Sequence, residues 1–147
     1  MKEIRIETEI DAPPEAVWET LTDFAAYEEW NPFFTSADGD LRVGGPVDVG
    51  IDAARRPHLA MTMTITEVIR PRRLQWVGTF GGRWVFRGQH TFDLQALDGD
   101  RTLFVNREAF SGVLVPILTR GLRHEYETMN RALADRVEGG SVVETAP

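Results

Sequence analysis

WVFRGQHTFDLQ, residues 84–95, alternates with a period of two. Trp84, Phe86, Gly88, His90, Phe92 and Leu94 fall on one face, and Val85, Arg87, Gln89, Thr91, Asp93 and Gln95 on the other. Successive side chains of a strand point to opposite faces, so the stretch reads as a strand with one dry side and one wet side. The dry side poses a question: it carries a histidine and, beside it, a glycine that packs nothing.

The neighbouring segments follow the same rule. Upstream, Leu74, Trp76, Gly78 and Phe80 lead into Gly81-Gly82, a hairpin signal. Before them Leu59, Met61, Met63 and Ile65, and earlier Val47, Val49 and Ile51, alternate with small or polar residues. Downstream, Asp98-Gly99-Asp100 marks a turn, and a last strand covers about 102–110. If that turn is a three-residue loop, Leu97 pairs with Arg101. Extending the ladder then sets Leu94 opposite Phe104, Phe92 opposite Asn106 and His90 opposite Glu108. The last strand itself leaves two inward faces open, since Leu103 and Val105 also look apolar.

Strands are flanked by helices. Ile4, Ile6, Thr8 and Ile10 alternate with Arg5, Glu7 and Glu9 in a first strand. Asp11-Ala12-Pro13-Pro14 stops it and starts a helix over about 15–22, with Asp11 as a capping residue and proline in the first turn. A second short helix near 24–29 ends before Trp30-Asn31-Pro32. After Gly112 to Pro116 a long helix is expected to about Val137. Leu118, Leu122, Tyr126, Met129, Leu133 and Val137 form its single apolar face. Gly139-Gly140 is read as its end, making 1–138 one domain and 139–147 a flexible tail.

Composition narrows the function. The 147 residues include no cysteine, which removes disulfides, thiolate metal sites and cysteine nucleophiles. The formal charge of −7 and scattered basic residues argue against nucleic acid. No apolar run nears the roughly 20 residues that span a bilayer. MKEIRIETEID alternates charge with isoleucine and does not read as a signal peptide, so a cytoplasmic protein is expected. His58, His90 and His124 have no metal-ligand spacing, and neither a G-x-S-x-G elbow nor a Walker loop occurs; no metal or other cofactor is expected.

Several of these residues also resemble a known family. Ile10-Asp11-Ala12-Pro13, Val17-Trp18, Leu21-Thr22-Asp23, Tyr27, Trp30-Asn31-Pro32, Glu108-Ala109-Phe110-Ser111-Gly112, Met129-Asn130 and Leu133 are similar to the START-like or Bet v 1-like (SRPBCC) superfamily. The likeness is to its bacterial polyketide cyclase/dehydrase-type branch, from about Ile4 to Val137. The resemblance implies an α+β helix-grip fold: a curved antiparallel β-sheet wrapped around a long C-terminal α-helix, with two short helices after the first strand. It implies a cavity between sheet and helix, and it puts Glu108 and Phe110 inside. Members of the superfamily include lipid and hormone binders, aromatic cyclases, quinone-binding proteins and chaperone partners.

A cavity answers the question posed by His90 and Gly88. His90 becomes a polar group aimed at a ligand or at cavity water, and Gly88 leaves room for something to approach. The plainer alternative is that His90 and Glu108 satisfy one another and hold two strands in register. The expected lining is His90, Asn106 and Glu108 among Met61, Met63, Trp76, Trp84, Phe86, Phe110, Leu118, Leu122, Tyr126 and Met129, with Trp30 and Phe33 at the mouth. The leading expectation is a binder of a hydrophobic small molecule: a lipid, an aromatic polyketide or a quinone-like compound. The alternatives are a cyclase or dehydratase in which His90 or Glu108 moves a proton, and a protein-interaction module of the chaperone-partner kind, with a large exposed apolar patch and a sealed interior.

Overall fold

The alternating stretches become strands in the computed structural model of the chain, which describes residues 2–53 and 56–145. Among the described residues there are seven: β1 (Lys2–Ile10), β2 (Phe34–Gly39), β3 (Pro46–Ala53), β4 (Arg56–Ile69), β5 (Arg73–Phe80), β6 (Phe86–Leu97) and β7 (Arg101–Ser111). They form one open antiparallel sheet in the order β1-β7-β6-β5-β4-β3-β2. Irregularities at Phe34/Ser36, Ile51/Ala53 and Ile65/Glu67 interrupt the ladders of β2 to β4. Such bulges bend and twist their strands, which helps this half of the sheet to curve.

The helices are α1 (Pro14–Thr22), a 3₁₀ turn (Phe24–Ala26), α2 (Tyr27–Trp30), α3 (Val115–Leu118) and α4 (Leu122–Thr145). Leu122, Tyr126, Met129, Leu133 and Val137 of α4 are buried with Ile4, Ile6 and Ile10 of β1 and with Val17, Trp18 and Leu21 of α1 in one core. The corner between β1 and α1 is tied down twice. The Asp11 N–H donates to Glu138 Oε2 at 2.7 Å, and the Thr102 hydroxyl donates to the Ala12 carbonyl at 2.7 Å. This is the helix-grip arrangement. No helix among the described residues is long and apolar enough to cross a membrane.

The pairing of β6 with β7 follows the three-residue loop: Leu97 faces Arg101, Phe92 faces Asn106 and His90 faces Glu108. The even positions of β7, from Thr102 to Phe110, are all buried.

Elsewhere the structure departs from the sequence reading. β2 was not expected, because its bulge puts the inward residues Phe34 and Ala37 three apart and breaks the period of two. Pro13, not Asp11, stands at the cap of α1, with no side-chain capping bond; proline at the first helical position removes one of the N–H groups that would need one. The closing helix is two helices, separated at Thr119–Gly121 where Gly121 takes φ 75°. α4 then runs through Gly139-Gly140 to Thr145 instead of stopping. A glycine costs a helix only about 1 kcal/mol, and the turns already formed before Gly139 meet the nucleation cost. Positions 146 and 147 of the expected tail lie outside the described residues. β6 begins at Phe86, because the turn opened by Gly81 (φ 68°) and Gly82 (φ 90°) continues to Val85.

That turn leans on the loop after β7. The Val113 N–H donates to the Trp84 carbonyl at 3.1 Å, and the Leu114 N–H to the Val85 carbonyl at 3.0 Å. Gly112 makes the approach possible. Its φ is 119°, and a Cβ there would overlap the Val85 carbonyl oxygen and lie 2.8 Å from the Phe86 Cα. Gly112→Ala is therefore expected to cost about 2 kcal/mol of stability, read as a lowered urea midpoint with unchanged m-value.

Candidate functional site

Because the sheet curves and α3–α4 meet it along one side, a cavity of about 390 Å³ remains on the concave face. Its mouth is marked by exposure. Leu59, Phe80 and Ile117 line it and are 36%, 42% and 56% exposed, whereas His90 and Glu108 at the inner end are 1% and 6% exposed. Between these ends the walls are apolar: Ile51 from β3, Met61 and Met63 from β4, Phe86 and Phe110 from β6 and β7, and Leu118 and Leu122 from the helices.

The polar end hangs on a chain of hydrogen bonds whose direction can be read from its anchor. Asn130 of α4 donates through Nδ2 to the Ile6 carbonyl at 3.4 Å and to the Thr8 hydroxyl at 3.1 Å. A carbonyl only accepts, so the Asn130 amide is oriented, and its Oδ1 receives Asn106 Nδ2 at 3.0 Å. Asn106 Oδ1 then faces His90 Nε2 at 2.5 Å. This nitrogen must be the donor, which leaves Nδ1 as the bare one in the neutral ring.

The bare nitrogen lies 3.4 Å from Glu108 Oε1, which also accepts the Tyr126 hydroxyl. By distance alone His90 and Glu108 would count as an ion pair, but both are buried and their titrations oppose that. Burial lowers the His90 pKa from 6.5 to about 4, against a smaller upward effect of the Asn106 bond. Burial raises the Glu108 pKa from 4.5 to about 7, against the Tyr126 bond, which lowers it. The hydrogen-bond geometry agrees. A carboxylate facing a bare Nδ1 would set lone pair against lone pair, whereas a carboxylic acid can donate there. We therefore read the pair as a neutral imidazole beside a carboxyl group that holds its proton up to about neutrality.

Gly88 now has a physical reason. It pairs with Gly78 across β5 and β6, and both line the cavity. A Cβ on Gly88 would overlap Glu108 Oε2; one on Gly78 would meet Met63 Sδ at 2.6 Å. The two glycines thus leave room for the carboxyl and thioether groups to lie against the sheet.

Of the residues expected from sequence, Phe33, Met61, Met63, Phe86, Gly88, His90, Glu108, Phe110, Leu118, Leu122 and Tyr126 come together around this cavity. The remaining five lie elsewhere. Asn106 and Met129 sit behind the wall, with Asn106 Nδ2 3.8 Å from Met129 Sδ. Trp76 is fully buried among Phe24, Phe34 and Phe92. Trp30 packs on Tyr27 and lines a separate hollow with Arg136. Trp84 is 78% exposed, carried out of the alternation by the glycine turn, with the Arg83 guanidinium 5.3 Å over its ring.

Sequence reasoning missed Phe34, Ile51, His58, Leu59, Gly78, Phe80 and Ile117 as lining residues. Ile51, Leu59, Gly78 and Phe80 already stood on inward faces of the alternating segments and could have been included. Asn130 was singled out in the family pattern, but nothing local linked it to His90.

The comparisons with known proteins agree with this architecture. The family model described as polyketide cyclase / dehydrase and lipid transport matches residues 1–138. Among solved structures, the chain is similar to the Zhui aromatase/cyclase from Streptomyces sp. R1128, with 16% identity, TM-score 0.77 and 93% of each chain covered. It is similar to protein CV1439 from Chromobacterium violaceum, with 23% identity, TM-score 0.74 and coverage of 94% of this chain and 99% of that one. TTHA0849 from Thermus thermophilus has 19% identity and TM-score 0.75, with 95% of this chain and 99% of that one covered. No curated protein matches. At these identities the structural likeness carries the fold alone.

Proposed function

The chain belongs to the polyketide cyclase / dehydrase and lipid transport family, and from that premise we propose that it binds a hydrophobic small molecule, lipid, aromatic polyketide or quinone-like, by enclosing its apolar body and holding one oxygen at the inner end. The observation that carries this reading is an apolar cavity of about 390 Å³ closed at its inner end by Glu108, His90 and Tyr126. Ligand sites are commonly apolar with a few placed polar groups. With its proton turned towards His90, Glu108 still has an oxygen beside Gly88 that can accept from a ligand hydroxyl.

Displacement of 1-aminoanthracene by naphthalene and by 2-naphthol tests the reading. Wild-type protein is expected to bind 2-naphthol about tenfold tighter than naphthalene, the worth of one buried hydrogen bond. Glu108→Leu should abolish that preference and keep the affinity for naphthalene, while Leu118→Trp should fill the cavity and weaken both. Failure of wild-type protein to take up any of the three aromatics would remove the binder.

A second reading is favoured by one feature. A carboxyl acid and a bare imidazole nitrogen 3.4 Å apart are a proton donor and acceptor of different environments, as a cyclase or dehydratase would use. Once a substrate is found, His90→Ala should cut turnover with little loss of binding. The protein-interaction reading called for a large exposed apolar patch and a sealed interior; the exposed apolar side chains near the cavity mouth are in keeping with the first, and the hollow interior is not in keeping with the second.

A further inference from the structure

The exposed large apolar side chains are not scattered. Eight stand out among the described residues, and five of them, Leu59, Phe80, Trp84, Val113 and Ile117, belong to the cavity mouth or to the two loops beside it. Trp84 and Val113 are the most exposed, at 78% and 76%, and lie on loops joined by the Val113 N–H to Trp84 carbonyl bond. Phe80 pairs with Phe86 at the foot of the first loop. Ile117 stands on α3, just after the second loop. Both side chains line the cavity, so the exposed rim continues into it.

Charge singles out the same rim. From Leu74 to Phe92 and from Ala109 to Leu122 the chain carries Arg83, Arg87 and Arg120 and no Asp or Glu, although the protein has 23 acidic residues and a net charge of −7. Arg83 sits over the Trp84 ring at the loop tip. Across the mouth, Asp52 is held by His58 at 2.9 Å.

We infer that this rim docks on an anionic lipid bilayer, with Trp84 and Val113 entering the interface and Arg83 facing the lipid phosphates. Tryptophan suits that boundary, having an apolar body and a polar N–H, and cationic side chains are drawn to anionic headgroups. The rim is continuous with the cavity through Phe80 and Ile117, so an apolar ligand could pass between bilayer and cavity without crossing water. The docking itself does not depend on which ligand the cavity holds, or on whether it holds one.

Co-sedimentation of the full chain with vesicles tests it. Wild-type protein is expected to sediment with vesicles of equal parts phosphatidylcholine and phosphatidylglycerol, less with pure phosphatidylcholine, and less again as salt is raised. Trp84→Glu with Val113→Glu should weaken the binding about tenfold or more, while the thermal melt and the uptake of 1-aminoanthracene stay as in wild type. Arg83→Gln should flatten the salt dependence. Wild-type protein left in the supernatant, or equal sedimentation of wild type and the double variant, would overturn the proposal. So would light scattering that finds a wild-type dimer and a monomeric double variant, since the rim would then join two copies of this chain.

Discussion

Asn106→Leu is expected to cost about 4 kcal/mol of folding stability, more than its small change in volume would suggest. The substitution removes the middle of a buried chain. His90 Nε2 loses the oxygen it donates to, and Asn130 Oδ1 loses the amide that donates to it. Each group is left in a place that water does not reach, since His90, Asn106 and Asn130 are all within 1% of full burial. A buried polar group stripped of its partner costs roughly 1–3 kcal/mol, and two are stripped at once. Urea unfolding measures the loss. The chain-like arrangement adds a sharper expectation: His90→Phe should cost less in the Asn106→Leu background than in wild type, because one orphaned donor is then gone. Additive losses would mean that the two side chains do not act together.

The second large effect is on the pH dependence of stability. Relative to its ordinary value of 4.5, the Glu108 pKa is raised to about 7. Its contribution is therefore full below pH 4.5 and is lost as the pH rises towards 7. The His90 pKa is lowered from 6.5 to about 4. Its contribution is full above pH 6.5 and is lost as the pH falls towards 4. Each shift corresponds to about 3 kcal/mol. Across the shared window the unfolded chain binds the proton that His90 refuses and releases the one that Glu108 keeps, so the two slopes oppose and the wild-type profile is nearly level.

Single replacements should uncover each slope. His90→Gln, which can still donate to Asn106, removes the slope of His90, and stability relative to wild type should fall by about 3 kcal/mol between pH 4 and 6.5. Glu108→Gln removes the slope of Glu108, and stability relative to wild type should rise by about 3 kcal/mol between pH 4.5 and 7. Urea unfolding across that window measures both. Variant profiles that run parallel to wild type would mean that neither group is held away from its ordinary titration.

Much of the frame was legible because strand alternation is a local constraint. Ile4, Ile6 and Ile10, then Leu74 and Trp76, then His90, Phe92 and Leu94 all fall inward as their spacing requires. The bulge in β2 hid a strand for the same reason, since an extra residue destroys the period on which the reading depends. Trp84 was misplaced because it continues the pattern of β6 perfectly as sequence, while the glycine turn before it holds the backbone out of the ladder until Phe86. Gly139 and Gly140 carried a stop signal that the preceding turns of α4 overrode.

The register was legible in the sequence once the turn at Asp98–Asp100 is a three-residue loop: a period of two then puts His90 opposite Glu108, with the family resemblance choosing the even face of the last strand. The chemistry of that pair came only with the packed chain. The ring nitrogen that carries the proton is chosen by Asn106, Asn106 is oriented by Asn130, and Asn130 is oriented by a carbonyl of β1. Pairing across a hairpin follows from backbone geometry that neighbouring residues share. A tautomer follows from donors and acceptors that distant segments bring together, and no local pattern records their meeting.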